Sequence, residues 1–378
     1  MAFEVYPSYL SADQFAYYWQ DYFLEHPPTA NTRVNLYIHY PWCRNICKFC
    51  VFGKYRYDQE DKYRIYAYED LLVDLTWKVS SALVRSDIIP GEVYFGGGTA
   101  SLNSLDTLKQ IRNHVRFFDM IPIRTIEMHP LDLDQEHLDV YALDTNHPFN
   151  RISIGVQTFN PEVLHHQNRD QVTPKFLRTA VEKLQKANVF VNIDLIAMLD
   201  GDDKSHLNTF LQDLDIAVRE IEPDSISISP NYKSHNYYEI SKTFRSVLKT
   251  YLDQFHFYQI SDPYALSLNE EDIIRYADEP YVLVKRNGLD YQTMHVSRSN
   301  QEQIMIGIGG YGASTAYSKT PEGIHFSCQF LPQDREFIFT ANHDTTFGIN
   351  ENDLYNSRVR VGSHTIDPPK HHEKEDRT

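Results

Sequence analysis

Cys43, Cys47 and Cys50 lie in the stretch CRNICKFC and account for three of the chain's four cysteines. Thiols spaced Cys-x3-Cys-x2-Cys in one short loop can pack, oxidise or hold a metal group. Cys328 is remote from them, so no disulfide framework emerges. A structural zinc wants a fourth ligand close by; His39 is the nearest candidate, but strand alternation need not aim it at the same point. A [4Fe–4S] cluster held by three cysteines leaves one iron with an open position, which is what a catalytic cluster needs. On the cysteines alone, cluster and zinc both stand, with the cluster the better match.

The elements that would position this loop are legible on both sides of it. The run RVNLYIHY (33–40) reads as a strand leading directly into the cysteines. Further β-like runs follow in EVYFGG, RTIEMHP, RISIGVQ, VFVNIDLIAM and SISIS, with FYQI as one more. Helical stretches alternate with them at about 66–84, 104–118, 135–143, 173–187, 206–219 and 237–254. Such alternation predicts an α/β fold with a parallel sheet, a partial (β/α)6-type barrel with a small C-terminal extension, whose site lies at the C-terminal strand ends. Before it, 11–25 reads as a helix with an N-capping serine, and PPTANT breaks the chain. The predicted organisation is a helical extension at 1–31, the barrel at 32–262, a region covering the substrate and cofactor at 263–360, and a charged, disordered tail at 361–378.

Composition limits the partners. The formal charge of −16 disfavours a nucleic acid, and 42% hydrophobic with 23% charged residues is ordinary for a soluble globular protein. No run approaches the ~18 consecutive apolar residues of a membrane span, and the N-terminus lacks the pattern of a secretory signal. A cytoplasmic location is therefore expected.

YIHYPWCRNICKFC resembles the opening of a radical S-adenosylmethionine (SAM) enzyme of the oxygen-independent coproporphyrinogen III oxidase-like group. YFGGGTASL, IEMHP, NRISIGVQTFNPEVLHHQNR and NIDLIAM follow in that group's order, so the resemblance runs from about Arg33 to Ser314. It implies a [4Fe–4S] cluster on Cys43, Cys47 and Cys50, and two SAM sites. Around the SAM on the cluster it implies Tyr37, Gly97 and Glu127; around a second SAM, Phe49, Gly98, Thr99, Gln157, Arg169 and Asp194, with Ala313 lining the site. Taken singly, Tyr37 and Phe49 read as core aromatics and Asp194 as a helix cap; the matched set reads as a cofactor site. The glycines at 96–98 would let backbone approach SAM closely, and a guanidinium such as Arg169 can clamp a carboxylate with two parallel hydrogen bonds. A one-electron donor such as flavodoxin or ferredoxin and a small-molecule substrate are the implied partners.

Three departures from the group bear on the reaction. The region after GIGGYGAS is short, VSRSNQEQIMIGIGG lacks the His-Asn and Tyr-Trp pairs of the haem-carrying relatives, and AMLDGDD replaces the usual Gly-Leu-Pro after the Asp194 strand. These point towards the branch resembling class C radical SAM methyltransferases and cyclopropanating enzymes. The expected reaction is transfer of a methyl or methylene group to an unsaturated carbon of a natural product. The alternatives are an oxidase or decarboxylase on a tetrapyrrole, and a haem chaperone without catalysis. Tyrosines in GKYRYDQEDKY and NYKSHNYYEI are available to stack on a flat substrate, or simply to pack.

Overall fold

The computed structural model describes residues 12–25, 27–29, 32–50, 54–60, 62–115, 117–143, 149–197, 199, 207–231, 258–260, 281–285, 302–309, 315–317, 328–330 and 340–342. Helix α1 (Ala12–Glu25) precedes strand β1 (Thr32–Tyr40). Two short strands, β2 (Trp42–Cys43) and β3 (Tyr55–Arg56), pair in parallel across the base of the cysteine loop. Next come α2 (Lys62–Arg85), β4 (Glu92–Gly97), α3 (Leu105–His114), β5 (Ile123–Met128), α4 (Gln135–Leu138), β6 (Arg151–Gln157), α5 (Pro161–His166), α6 (Pro174–Lys186), β7 (Phe190–Ala197), α7 (Leu207–Ile216) and β8 (Ser225–Pro230). Beyond these lie β9 (Tyr258–Ile260), β10 (Tyr281–Lys285), β11 (Glu302–Ile308), β12 (Thr315–Tyr317), β13 (Cys328–Phe330) and β14 (Thr340–Asn342).

One sheet of ten strands has the order β12-β11-β1-β4-β5-β6-β7-β8-β10-β9. Its middle seven strands, β11 to β8, run parallel; β12 and β10 add to either side antiparallel, and β9 pairs antiparallel with β10. The parallel α/β architecture is as expected, and it is an open sheet rather than a closed barrel. Strands from both 32–262 and 263–360 enter it, because β11 lies against β1.

Local chemistry explains most boundaries. Ser104 caps α3 by accepting from the Thr107 amide at 3.1 Å, and Asn160 and Thr173 cap α5 and α6, each followed by proline at the first helical position. Asp87 follows α2 and Asn188 follows α6, both at positive φ, giving the left-handed turn that ends a helix. In α2, Ile65, Tyr68, Leu72, Leu75, Val79, Ala82 and Leu83 are buried, a stripe at helical spacing. The helix expected at 135–143 is α4 followed by a π turn at Asp139–Leu143, and α7 likewise passes into a π turn at Ala217–Ile221. Helix α5 was not anticipated. The helix expected at 237–254 and the tail at 361–378 lie outside the described residues.

The core is continuous under the sheet. Trp19 and Phe23 of α1 are buried in it. Trp42, at the entrance to the cysteine loop, is fully buried and meets Tyr68 edge-on at 4.9 Å and Tyr40 at 5.2 Å. Its indole N–H donates to Glu60 at 3.2 Å. Full burial of such a side chain contributes about 2–3 kcal/mol, so the loop leaves the sheet from a rigid base. No helix among the described residues is long and apolar enough to cross a membrane.

Candidate functional site

Parallel register brings the sequence-predicted residues to one end of the sheet. Tyr40 of β1 lies beside Gly97 of β4, Glu127 of β5 beside Ser153 of β6, and Gly155 of β6 beside Asp194 of β7. Tyr37, Gly97, Glu127, Gln157 and Asp194 thus sit towards the C-terminal ends of five adjacent strands, where α/β folds build their sites. Ala313 lies outside the described residues.

The cysteine loop crosses this end. Cys43 and Cys47 are buried, Cys50 is half-buried, and all three are free thiols. Burial pushes the Cys43 thiol up to about 12, against the pull of a hydrogen bond with Thr99. The Cys50 amide closes a turn onto the Cys47 carbonyl at 3.2 Å, and Lys54 Nζ reaches the Cys50 carbonyl at 3.0 Å. Arg44 in the loop bonds Asp132, which is completely buried and also accepts from Ser101 Oγ at 2.5 Å. This pairing ties the loop to the segments after β4 and β5.

The glycines prove necessary to the protein itself. Gly97 has φ +119°, and a Cβ on it would stand 2.6 Å from the Tyr40 carbonyl oxygen. A Cβ on Gly98 would lie 2.7 Å from the Trp42 carbonyl oxygen and 2.9 Å from Cys43 Sγ. The loop after β4 therefore passes beneath the first cysteine at a distance that side chains would forbid.

Two carboxylates face each other's strands. Glu127 accepts from Tyr94 Oη at 2.7 Å and from the Gly97 amide at 3.1 Å. Burial raises its carboxyl to about 7, opposed by the Tyr94 bond and reinforced by the charge of Asp194. Asp194 accepts from Ser153 Oγ at 2.9 Å and Asn192 Nδ2 at 2.8 Å, and burial raises its carboxyl too. Asn192 is fixed in turn by Ser225 and Ser227 of β8, at 2.6 and 3.1 Å. Such a carboxylate can receive an ammonium or a ribose hydroxyl.

Around the loop, Phe49 packs against a small cluster of Val163, Ile196 and Leu199. Arg169 has its guanidinium carbon 5.9 Å from the Phe49 ring centre and its Nη1 3.4 Å from Cys47 Sγ. Thr99 is buried, and Gln157 has φ +74° beside an irregularity at the end of β6. His39 is fully buried, pushed down to about 3 by burial, with Nδ1 3.1 Å from Tyr37 Oη. Residues that sequence reasoning missed include Tyr94, Ser153, Asn192, Arg44 and Asp132. A signal existed for Asn192: it stands two positions before Asp194 in an otherwise apolar strand, so both share a face.

The donor set fits an iron–sulfur cluster: three free thiols on one loop, which an N–H donor and close-packed glycine backbone already touch. Among the described residues, no group of three or more His, Cys, Asp or Glu side chains forms a single-ion site.

Residues 37–214 match the model of the radical SAM superfamily. The chain carries a radical SAM domain, and its relatives are of the coproporphyrinogen oxidase-like group. It is 31% identical over 226 residues to anaerobilin synthase of Escherichia coli O157:H7, covering 58% of this chain and 47% of that one. It is 30% identical over 209 residues to the heme chaperone HemW of Buchnera aphidicola, covering 52% of each. It is 32% identical over 205 residues to the oxygen-independent coproporphyrinogen III oxidase of Pseudomonas aeruginosa, covering 53% of this chain and 42% of that one. The chain thus spans about half the length of the curated relatives it matches. The solved structure of coproporphyrinogen III oxidase from Escherichia coli superposes with a TM-score of 0.61 at 17% identity, covering 86% of this chain and 75% of that one, which shows the shared fold. The radical SAM match over residues 37–214 implies a [4Fe–4S] cluster and SAM.

These relatives overturn one expectation. Methyl or methylene transfer to a natural product rested on departures from the group, and the matched relatives are instead named for tetrapyrroles. The departures fall after the Asp194 strand and in the C-terminal part of the chain, largely outside the described residues, and a change there need not change the class of substrate.

Proposed function

We propose that the chain is a radical SAM enzyme acting on a tetrapyrrole, in the manner of an oxidase or a ring-opening enzyme. The observation that supports this best is the agreement of its relatives: anaerobilin synthase, HemW and coproporphyrinogen III oxidase are different proteins with one class of ligand in their names. When bound, the cluster supplies an electron to SAM, whose cleavage provides the radical that removes a hydrogen atom from the substrate.

The chain's own residues have separate tasks in this reading. Cys43, Cys47 and Cys50 hold the cluster on a loop anchored by Trp42 and by the Arg44–Asp132 pair. Glu127, with Tyr37 and Gly97, receives the ammonium or ribose of SAM, a task that needs its ionised form. Asp194 is oriented by Ser153 and Asn192 to accept hydroxyl hydrogens. Phe49, Gly98, Thr99, Gln157, Arg169 and Asp194 form the candidate surroundings of a second SAM. Buried groups such as Thr99 and His39 keep water from the reacting atoms. A one-electron donor of the flavodoxin or ferredoxin kind completes the cycle.

The test is anaerobic turnover of the iron-loaded chain with methyl-deuterated SAM, a reductant, and coproporphyrinogen III or haem. Unlabelled 5′-deoxyadenosine, formed together with a modified tetrapyrrole, is expected because the hydrogen comes from the substrate. Deuterium in the deoxyadenosine would remove this reading. A second reading, haem delivery without chemistry, is favoured by the match to HemW; it predicts stoichiometric haem binding with no modified product.

A further inference from the structure

The segment 167–170 grips the cysteine loop at four points. The Lys48 amide donates to the Gln167 carbonyl at 3.0 Å, and Asn168 Nδ2 donates to the Ile46 carbonyl at 3.0 Å. Asn45 Nδ2 donates to Asp170 at 2.6 Å, and Arg169 Nη1 meets Cys47 Sγ at 3.4 Å. Asn168 has φ +54°, so the chain turns sharply between α5 and this contact.

The guanidinium is held from its other side as well. Its Nη2 donates to the Gly155 carbonyl, at the irregular end of β6. A Cβ on Gly155 would stand 3.1 Å from that nitrogen, so the strand is shaped to admit it. Nε is buried with no hydrogen-bond partner among the described residues, so that N–H is available to a ligand. Arg169 thus arrives at the sulfur preorganised, its guanidinium held by the Gly155 carbonyl and its backbone by the clasp at 167–170.

An N–H donor on a cluster sulfur draws charge from it and favours the reduced, more negative cluster. We propose that Arg169 is a positioning residue for the cluster: clasped by 167–170, its N–H···S contact with Cys47 raises the cluster's reduction potential. This role is additional to any clamping of a SAM carboxylate, and it rests on the reading that Cys47 is a cluster ligand.

The experiment is a redox titration of the iron-loaded chain without SAM, followed by electron paramagnetic resonance, with iron and sulfide content measured on each sample. Arg169→Gln should make reduction about tenfold less favourable, a fall of ~59 mV for one electron. Asp170→Ala, which leaves the guanidinium in place but loosens the clasp, should shift it in the same direction by less. A fully loaded Arg169→Gln protein with the wild-type potential overturns the proposal. If that variant takes up no cluster, the loaded Asp170→Ala protein decides, and an unchanged potential overturns it equally. A wild-type chain that takes up no iron and sulfide would instead overturn the cluster reading itself.

Discussion

The phenol of Tyr94 on β4 donates to Glu127 on the neighbouring strand at 2.7 Å, and its ring stacks on Tyr37 at 5.9 Å. Tyr94 opens YFGGGTASL but has no expected role there, and it joins two candidate SAM residues. Because the bond favours the ionised carboxyl, it holds Glu127 lower than burial alone would. SAM affinity should fall as the pH drops through about 7, where Glu127 takes up its proton. In Tyr94→Phe that midpoint should move upward by about one pH unit. Calorimetric titration of SAM at several pH values measures both; an unmoved midpoint argues against the coupling.

The same burial links Glu127 to stability. Its folded carboxyl is raised above the unfolded value, so the contribution is fully present below the ordinary carboxylate range and is lost as the pH rises through about 7. The loss is at most about 3 kcal/mol, since the residue is only half-buried. Glu127→Gln has no acid to ionise. Its melting temperature relative to the wild type should therefore rise between pH 5.5 and pH 8 in the metal-free chain. A difference independent of pH would contradict the assignment.

Single alanine substitutions at Cys43, Cys47 and Cys50 should each abolish the broad visible absorbance of the reconstituted chain. Cys328→Ala should keep it. Iron and sulfide analysis distinguishes a lost cluster from an altered spectrum, and a wild type that binds zinc but never iron would refute the assignment.

Arg44 and Asp132 should respond unequally, because Arg44 is 42% exposed and Asp132 is 0% exposed. Arg44→Ala leaves a buried carboxylate with only the Ser101 hydroxyl, at a cost of about 3 kcal/mol. Asp132→Asn keeps a polar group in place and costs about 1 kcal/mol. Denaturant unfolding of the metal-free chain reads both values, and equal costs would mean that the pair does not anchor the loop.

Much of this was legible in the sequence because it is local. The cysteine spacing, the alternation of strand and helix, and the glycines after β4 each lie within a few residues of one another. What escaped depends on contacts between distant segments. Arg44 finds Asp132 and Asn45 finds Asp170 only once strands are ordered in the sheet. Tyr94 gains its meaning from Glu127, on a different strand. The reaction was misread for a related reason. The absence of pairs around VSRSNQEQ bears on a segment most of which lies outside the described residues, whereas the strand ends that carry Glu127 and Asp194 are where the site is built.

The position of β1 between β4 and β11 has a consequence for biosynthesis. After β1 and the three thiols, a ribosome must make the chain from 51 to 301 before the strand's second neighbour, Glu302–Ile308, exists. At about 5–20 residues per second the wait is on the order of tens of seconds. Throughout it β1 presents an open hydrogen-bonding edge beside reactive thiols, a state prone to mispairing and oxidation. A chain cut short before Glu302 would leave one edge of β1 open for good, and β1 is the strand that leads into the cysteine loop.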